Sequence, residues 1–134
     1  VSVAVRDASG DIYVVGGTNS ADFPTTPGVH GPAYHGGGSD FYVAKFDRDL
    51  TTLLAATYVG GSSDESAPNL VIDSHGDLLV AGRTLSTDIP VTSGAYQTSK
   101  SAQEDLFVVK LSGDLTTVVA ATYLGGSQRR AGAR

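Results

Sequence analysis

Short apolar runs alternate along the chain with clusters of Gly, Asp, Ser and Thr, and no segment suits a long helix. In the first half, four strand-like runs emerge: Ser2 to Arg6, Ile12 to Gly16, about Asp40 to Phe46 and about Thr52 to Val59. The first two flank Asp7-Ala8-Ser9-Gly10-Asp11, which predicts a hairpin. Asp opens such a turn by bonding nearby backbone amides, and Gly supplies a positive φ that a β-branched residue adopts only at a cost. A second hairpin is predicted across Asp47 to Thr51. Ile12-Tyr13-Val14-Val15 and Leu78-Leu79-Val80-Ala81 are apolar at consecutive positions, where a half-exposed strand would alternate. Both faces of each sheet are therefore expected to be covered.

This pattern is written twice. Asp7, Gly10, Asp11, Gly16, Thr18 and Ser20 recur as Asp73, Gly76, Asp77, Gly82, Thr84 and Ser86, each 66 residues later. Asp22, Pro24, Thr26 and Gly28 recur as Asp88, Pro90, Thr92 and Gly94 at the same offset. Beyond a one-residue deletion the offset is 65: Asp40, Val43 and Lys45 return as Asp105, Val108 and Lys110, and Ala55-Ala56-Thr57-Tyr58 as Ala120-Ala121-Thr122-Tyr123. The expected organisation is one repeat over residues 1–62, a second over 63–127, and an unmatched basic tail over 128–134. A four-stranded sheet covered on both faces by copies of itself predicts an all-β fold, a β-propeller fragment of two four-stranded antiparallel blades of about 65 residues each. A stacked sandwich is the rival architecture.

The motifs resemble the SBBP-type bacterial β-propeller repeat. The resemblance is carried by Tyr13-Val14-Val15-Gly16-Gly17-Thr18, Ser20-Ala21-Asp22-Phe23-Pro24-Thr25-Thr26, Asp40-Phe41-Tyr42-Val43-Ala44-Lys45 and Ala56-Thr57-Tyr58-Val59-Gly60-Gly61. The second unit repeats it with Asp105-Leu106-Phe107-Val108-Val109-Lys110 and Ala121-Thr122-Tyr123-Leu124-Gly125-Gly126. It departs at Ile89-Pro90-Val91-Thr92, and Leu79 stands where the first unit has Tyr13. The resemblance implies a noncatalytic scaffold or interaction module in an exported or cell-surface bacterial protein, with an extracellular location. It supplies no catalytic residue and no cofactor.

Composition narrows the chemistry. A net charge of -5, with Lys and Arg scattered except near the end, argues against a nucleic-acid surface. Cys is absent, which excludes disulfides and Cys-based metal sites. No apolar run approaches the roughly 20 residues of a membrane span, and no basic-then-apolar export signal opens the chain. The chain starts at Val1 and contains no Met, so it is expected to be an excised piece.

The Asp-x-x-Gly-Asp turns place oxygens at alternate positions, yet Gly stands fourth rather than sixth and no distal Glu follows, so a turn is favoured over a calcium loop. Asp73, His75 and Asp77 are read in the same way, and no metal site is assigned. Lys45 and Lys110 recur within apolar strands and are expected to pair with Asp7 or Asp73, or to snorkel at a rim. Neither a Ser-His-Asp order nor a His-Glu-x-x-His pattern occurs.

The best functional candidates are the long connections between second and third strands, because loops on a rigid scaffold carry recognition more often than strands do. They hold Asp22, Thr25, Thr26, His30, Tyr34 and His35 in the first unit, and Asp88, Thr92, Tyr96, Gln97 and Lys100 in the second. Asp64 and Glu65, at the crossover between units, are expected on the same face. The expected partners are further blades, in the same chain or by self-association, and a glycan or protein ligand at these loops. The alternative is a piece of a propeller glycan lyase or hydrolase whose acid and base lie in other blades.

Overall fold

The structure is a computed structural model that describes residues 3–18, 25–28, 40–61, 63–100 and 105–125. It is all-β, with two antiparallel four-stranded sheets in sequential order. The first comprises β1 (Val3–Arg6), β2 (Ile12–Thr18), β3 (Asp40–Phe46) and β4 (Leu53–Val59). The second comprises β5 (Glu65–Ile72), β6 (Leu78–Thr84), β7 (Asp105–Leu111) and β8 (Val118–Leu124).

The β1–β2 and β5–β6 turns are built alike. Asp7 Oδ1 accepts from the amides of Ser9 at 2.9 Å and Asp11 at 3.0 Å, and Asp73 Oδ1 does the same for His75 and Asp77. Gly10 and Gly76 take the left-handed conformation, with φ of 93° and 84°. These carboxylates serve the turn, as the spacing predicts. The second hairpins are less ordinary, because Leu50 (φ 60°) and Leu115 (φ 65°) hold the left-handed position that costs an L-residue about 1–2 kcal/mol.

Even the irregularities are duplicated. The β3–β4 register slips after Lys45, which pairs with Ala55 while Phe46 pairs with Leu53; the β7–β8 register slips in the same way after Lys110. The residues passed over, Leu54 and Val119, are exposed. A further slip in β5 falls at Ala67 and Pro68, where proline has no amide to donate.

Each sheet has a forward face, pointing toward the next unit, and a rear face. The forward face of the first sheet carries Tyr13, Val15, Phe41 and Val43, all buried. It packs on the rear face of the second, where Leu78, Val80, Phe107, Val109 and Leu111 are buried, in one shared core. Phe41 and Phe107 stack across the junction, with ring centroids 5.5 Å apart. Tyr13 donates to the Gly113 carbonyl at 2.9 Å, and Lys45 reaches the same carbonyl at 3.4 Å. The two sheets come closest at β5, which lies against β1, β2 and β3, and no such approach is made by the outer strands β4 and β8.

Coverage away from this junction is uneven: on the other face of the first sheet Ala44, Ala56 and Tyr58 are buried, while Ile12, Val14 and Phe46 are half-buried. In β6 burial alternates: Leu78 and Val80 are buried, whereas Leu79 and Ala81 are half-exposed. The consecutive apolar residues of β6 therefore mark a second face that is only partly covered, bordered by the 92–96 segment, a correction to the expectation of two fully covered faces.

Candidate functional site

The most unusual chemistry lies where the chain crosses from one sheet to the other. Gly60 and Gly61 follow β4, and Glu65 opens β5 as a residue only 2% exposed. Glu65 Oε2 accepts from Thr84 Oγ1 at 2.9 Å and from the Ser86 hydroxyl, while Oε1 accepts from the Gly61 amide at 3.1 Å. Asp40, fully buried at the start of β3, faces Glu65 across Gly60. The glycines are required by crowding: a Cβ on Gly60 would lie 2.4 Å from Glu65 Oε1, and one on Gly61 would lie 2.4 Å from Asp88 Oδ1.

Burial is the main force on Glu65 and, with the neighbouring Asp40 carboxyl, outweighs its hydroxyl and amide donors, raising its pKa to about 7. The acid thus keeps a proton well above the ordinary carboxyl range, and that proton makes it a donor toward Asp40. Tyr123 closes the region from the second sheet, donating to the Ser86 carbonyl at 2.9 Å and accepting from the Ile89 amide at 3.0 Å. Burial raises its pKa also. The assembly is a hydrogen-bonded bolt between sheets, and among the described residues no group of three His, Cys, Asp or Glu is placed to hold a metal ion.

A second feature is a cavity of about 500 Å³ between the 92–96 segment and the forward face of the second sheet, lined by Leu79, Val108, Lys110, Val119 and Tyr96 among others. Tyr96 is 84% exposed beside it. The segment is held by clamps on the outer strand. Thr92 donates its amide to the Ala121 carbonyl and accepts the Ala121 amide on its hydroxyl, at 3.2 and 3.1 Å. Thr26 clamps Ala56 of β4 in the same way, at 3.2 and 3.0 Å. These bonds satisfy groups on an outer edge strand that would otherwise invite pairing with another chain.

The sequence candidates therefore have different roles. Thr26 and Thr92 are edge clamps, and Thr25 is half-buried beside the first. Asp64, Asp88 and Tyr96 are exposed and Lys100 is half-exposed, so these four remain accessible. Glu65 belongs to a strand and is buried, which removes it from the loop surface on which it was expected. Asp22, His30, Tyr34 and His35 lie outside the described residues.

Lys110 bears out the expected pairing with Asp73, whereas Lys45 finds Asp11 in place of the expected Asp7. Lys110 pairs with Asp73 at 3.4 Å, and Lys45 lies 3.9 Å from Asp11 and over the Tyr13 ring. Sequence reasoning missed the Glu65–Asp40 bolt, and it read Gln97 as a loop residue without seeing its structural role. Gln97 bonds Asp105 Oδ2 at 3.0 Å and the Gly125 amide at 3.0 Å, beside the duplicate of Asp40. The available signal was the recurrence of Asp at the first position of β3 and β7, where an apolar strand has no need of a carboxylate.

No protein-family model matches the chain, and no curated protein matches it.

Proposed function

We propose that the chain is a noncatalytic scaffold segment, two consecutive blades of a β-propeller from an exported or cell-surface bacterial protein of the SBBP-repeat type. Its exposed loop residues contact a glycan or protein. The observation that carries this reading is the stacking of duplicated sheets forward face to rear face, closest at β5 and not at β4 and β8. A radial array needs that wedge, whereas a sandwich keeps its two sheets evenly spaced by about 10 Å.

The use of polar side chains supports a scaffold. Asp7, Asp73, Asp47 and Asp114 bond turn amides, Thr26 and Thr92 clamp edges, and Glu65 joins the sheets. Contact with a ligand falls to Asp64, Asp88, Tyr96 and Lys100. Tyr96 offers an aromatic face of the kind that stacks on a sugar ring or a peptide.

NMR titration of the chain with a panel of neutral and acidic oligosaccharides tests the recognition role. Expected are shifts at these four residues that disappear in Tyr96→Ala with the fold intact. Shifts confined to other surfaces, no shift with any ligand, or turnover of any panel member would contradict the reading.

A further inference from the structure

The crossover between the duplicated sheets is fastened by an acid. Glu65 joins two segments: its Oε1 accepts from the Gly61 amide, just past β4, and its Oε2 accepts from Thr84 Oγ1 and the Ser86 hydroxyl, at the exit of β6. Two more bonds run between the same segments, from the Ser63 amide to Ser86 Oγ at 2.9 Å and from the Leu85 amide to the Asp64 carbonyl at 3.0 Å. Thr84 and Ser86 are as buried as Glu65. Asp64 and Asp88, exposed acids of the loop face, are carried one on each segment.

The titratable groups around Glu65 among the described residues are acids. Asp40 faces it from β3 across Gly60, where a Cβ would lie 2.4 Å from Glu65 Oε1 and 3.4 Å from Asp40 Oδ1. Asp64 precedes it, Asp88 Oδ1 stands against Gly61, and the Tyr123 phenol of β8 feels its charge. Arg83, next to Thr84 on β6, is exposed and belongs to the opposite face of the sheet. Two buried carboxyls so placed do not both ionise without cost, because burial and a like charge both disfavour the anion. A proton on Glu65 removes the conflict. Without it, the carboxylate regains water only by leaving Gly61, Thr84 and Ser86, which parts the two segments. The second unit has no such dependence: Asp105, the duplicate of Asp40, is met by the Gln97 amide, which has no proton to lose in this range.

We propose that Glu65 is a pH-operated latch: protonated, it holds the 60–65 crossover to the 84–88 segment, and as the proton is lost the two segments part locally more often while both sheets stay folded. The latch sets the spacing of Asp64 and Asp88, so its effect on ligand contact rests on the loop-recognition reading above. The closed latch titrates near 7 and an open one at the ordinary 4.5. The opening constant therefore climbs about tenfold per pH unit between those values and levels off above 7, a rise of roughly seventyfold from pH 5 to 8.

Amide hydrogen exchange of the full chain, read by NMR at Ser63 and Leu85 and corrected for intrinsic rates, tests the proposal. Protection at these two amides should fall roughly seventyfold from pH 5 to 8. The fall should be the same with and without low urea, because a local opening exposes little surface. Glu65→Gln should hold its protection constant over this range, and Asp40→Asn should shrink the fall by removing the facing charge, with circular dichroism to verify both folds. Wild-type protection that does not change with pH, a fall that Glu65→Gln shares, or opening that responds to urea as global unfolding does would overturn it. The exchange is measured without ligand, so a failure of glycan binding leaves the latch standing, and failure of the latch leaves loop recognition to its own test.

Discussion

Raising the pH from about 5 to about 8 should weaken the fold, because Glu65 must give up its proton inside the junction. Its folded pKa of about 7 lies above the ordinary 4.5, so the folded state binds the proton more tightly than the unfolded chain does. Such a group stabilises fully below pH 4.5, and the contribution is lost as the pH rises through 7. Integrating the linkage between about pH 5 and 8 gives a loss of roughly 2.5 kcal/mol. The partners explain the size: Thr84, Ser86 and Gly61 donate to Glu65, while Asp40 faces it and no cation is among these partners. Urea unfolding followed by circular dichroism at several pH values reads the effect as a midpoint lower by about 1–2 M at the alkaline end. Glu65→Gln isolates the group. It keeps a donor toward Asp40 but loses an acceptor for the Gly61 amide, so it should cost about 1 kcal/mol at pH 5. By pH 8 it should be the more stable protein. Parallel profiles for the two proteins would refute the reasoning.

Tyr13→Phe removes the hydroxyl bond to Gly113 and should cost about 1 kcal/mol in urea unfolding, with the slope unchanged. Leu115→Ala should cost about 2–5 kcal/mol, whereas Leu50→Ala should stay within about 0.5 kcal/mol, although both leucines lie in an Asp-Leu-Thr-Thr run. Gly82→Ala places a Cβ 2.5 Å from the Phe41 ring and 2.9 Å from the Ser66 carbonyl, and should lower stability by about 1–3 kcal/mol in the same assay.

Much of the architecture was legible because the duplication places strands and turns without any tertiary knowledge. The predicted run Asp40 to Phe46 coincides with β3, and the Asp-x-x-Gly-Asp hairpins form at Asp7 and Asp73 as their chemistry requires. The extent of β2 was underestimated, since Gly17 and Thr18 still pair with Phe41 and Asp40 despite their turn-like composition. What the residues did not disclose is which copy of an apolar face is covered. Tyr13 and Leu79 occupy equivalent positions, yet one is buried and the other half-exposed, because coverage depends on the neighbour and not on the strand itself. The bolt was hidden for a related reason. Glu65 reads as a polar crossover residue, and only the approach of β5 to β3 buries it against Asp40. Thr26 and Thr92 read as loop contacts, but their hydroxyls and amides turn back onto β4 and β8.

The central claim is that the two duplicated sheets form one structural unit through a shared core. Native-state hydrogen exchange of the chain measures it most directly, through the opening free energies of amides in β2 and β3 against those in β6 and β7. The account predicts that the slowest amides of both sheets exchange with the same free energy, within about 0.5 kcal/mol, because neither sheet keeps a core when the junction opens. Amides of one sheet that stay protected while the other opens would contradict it.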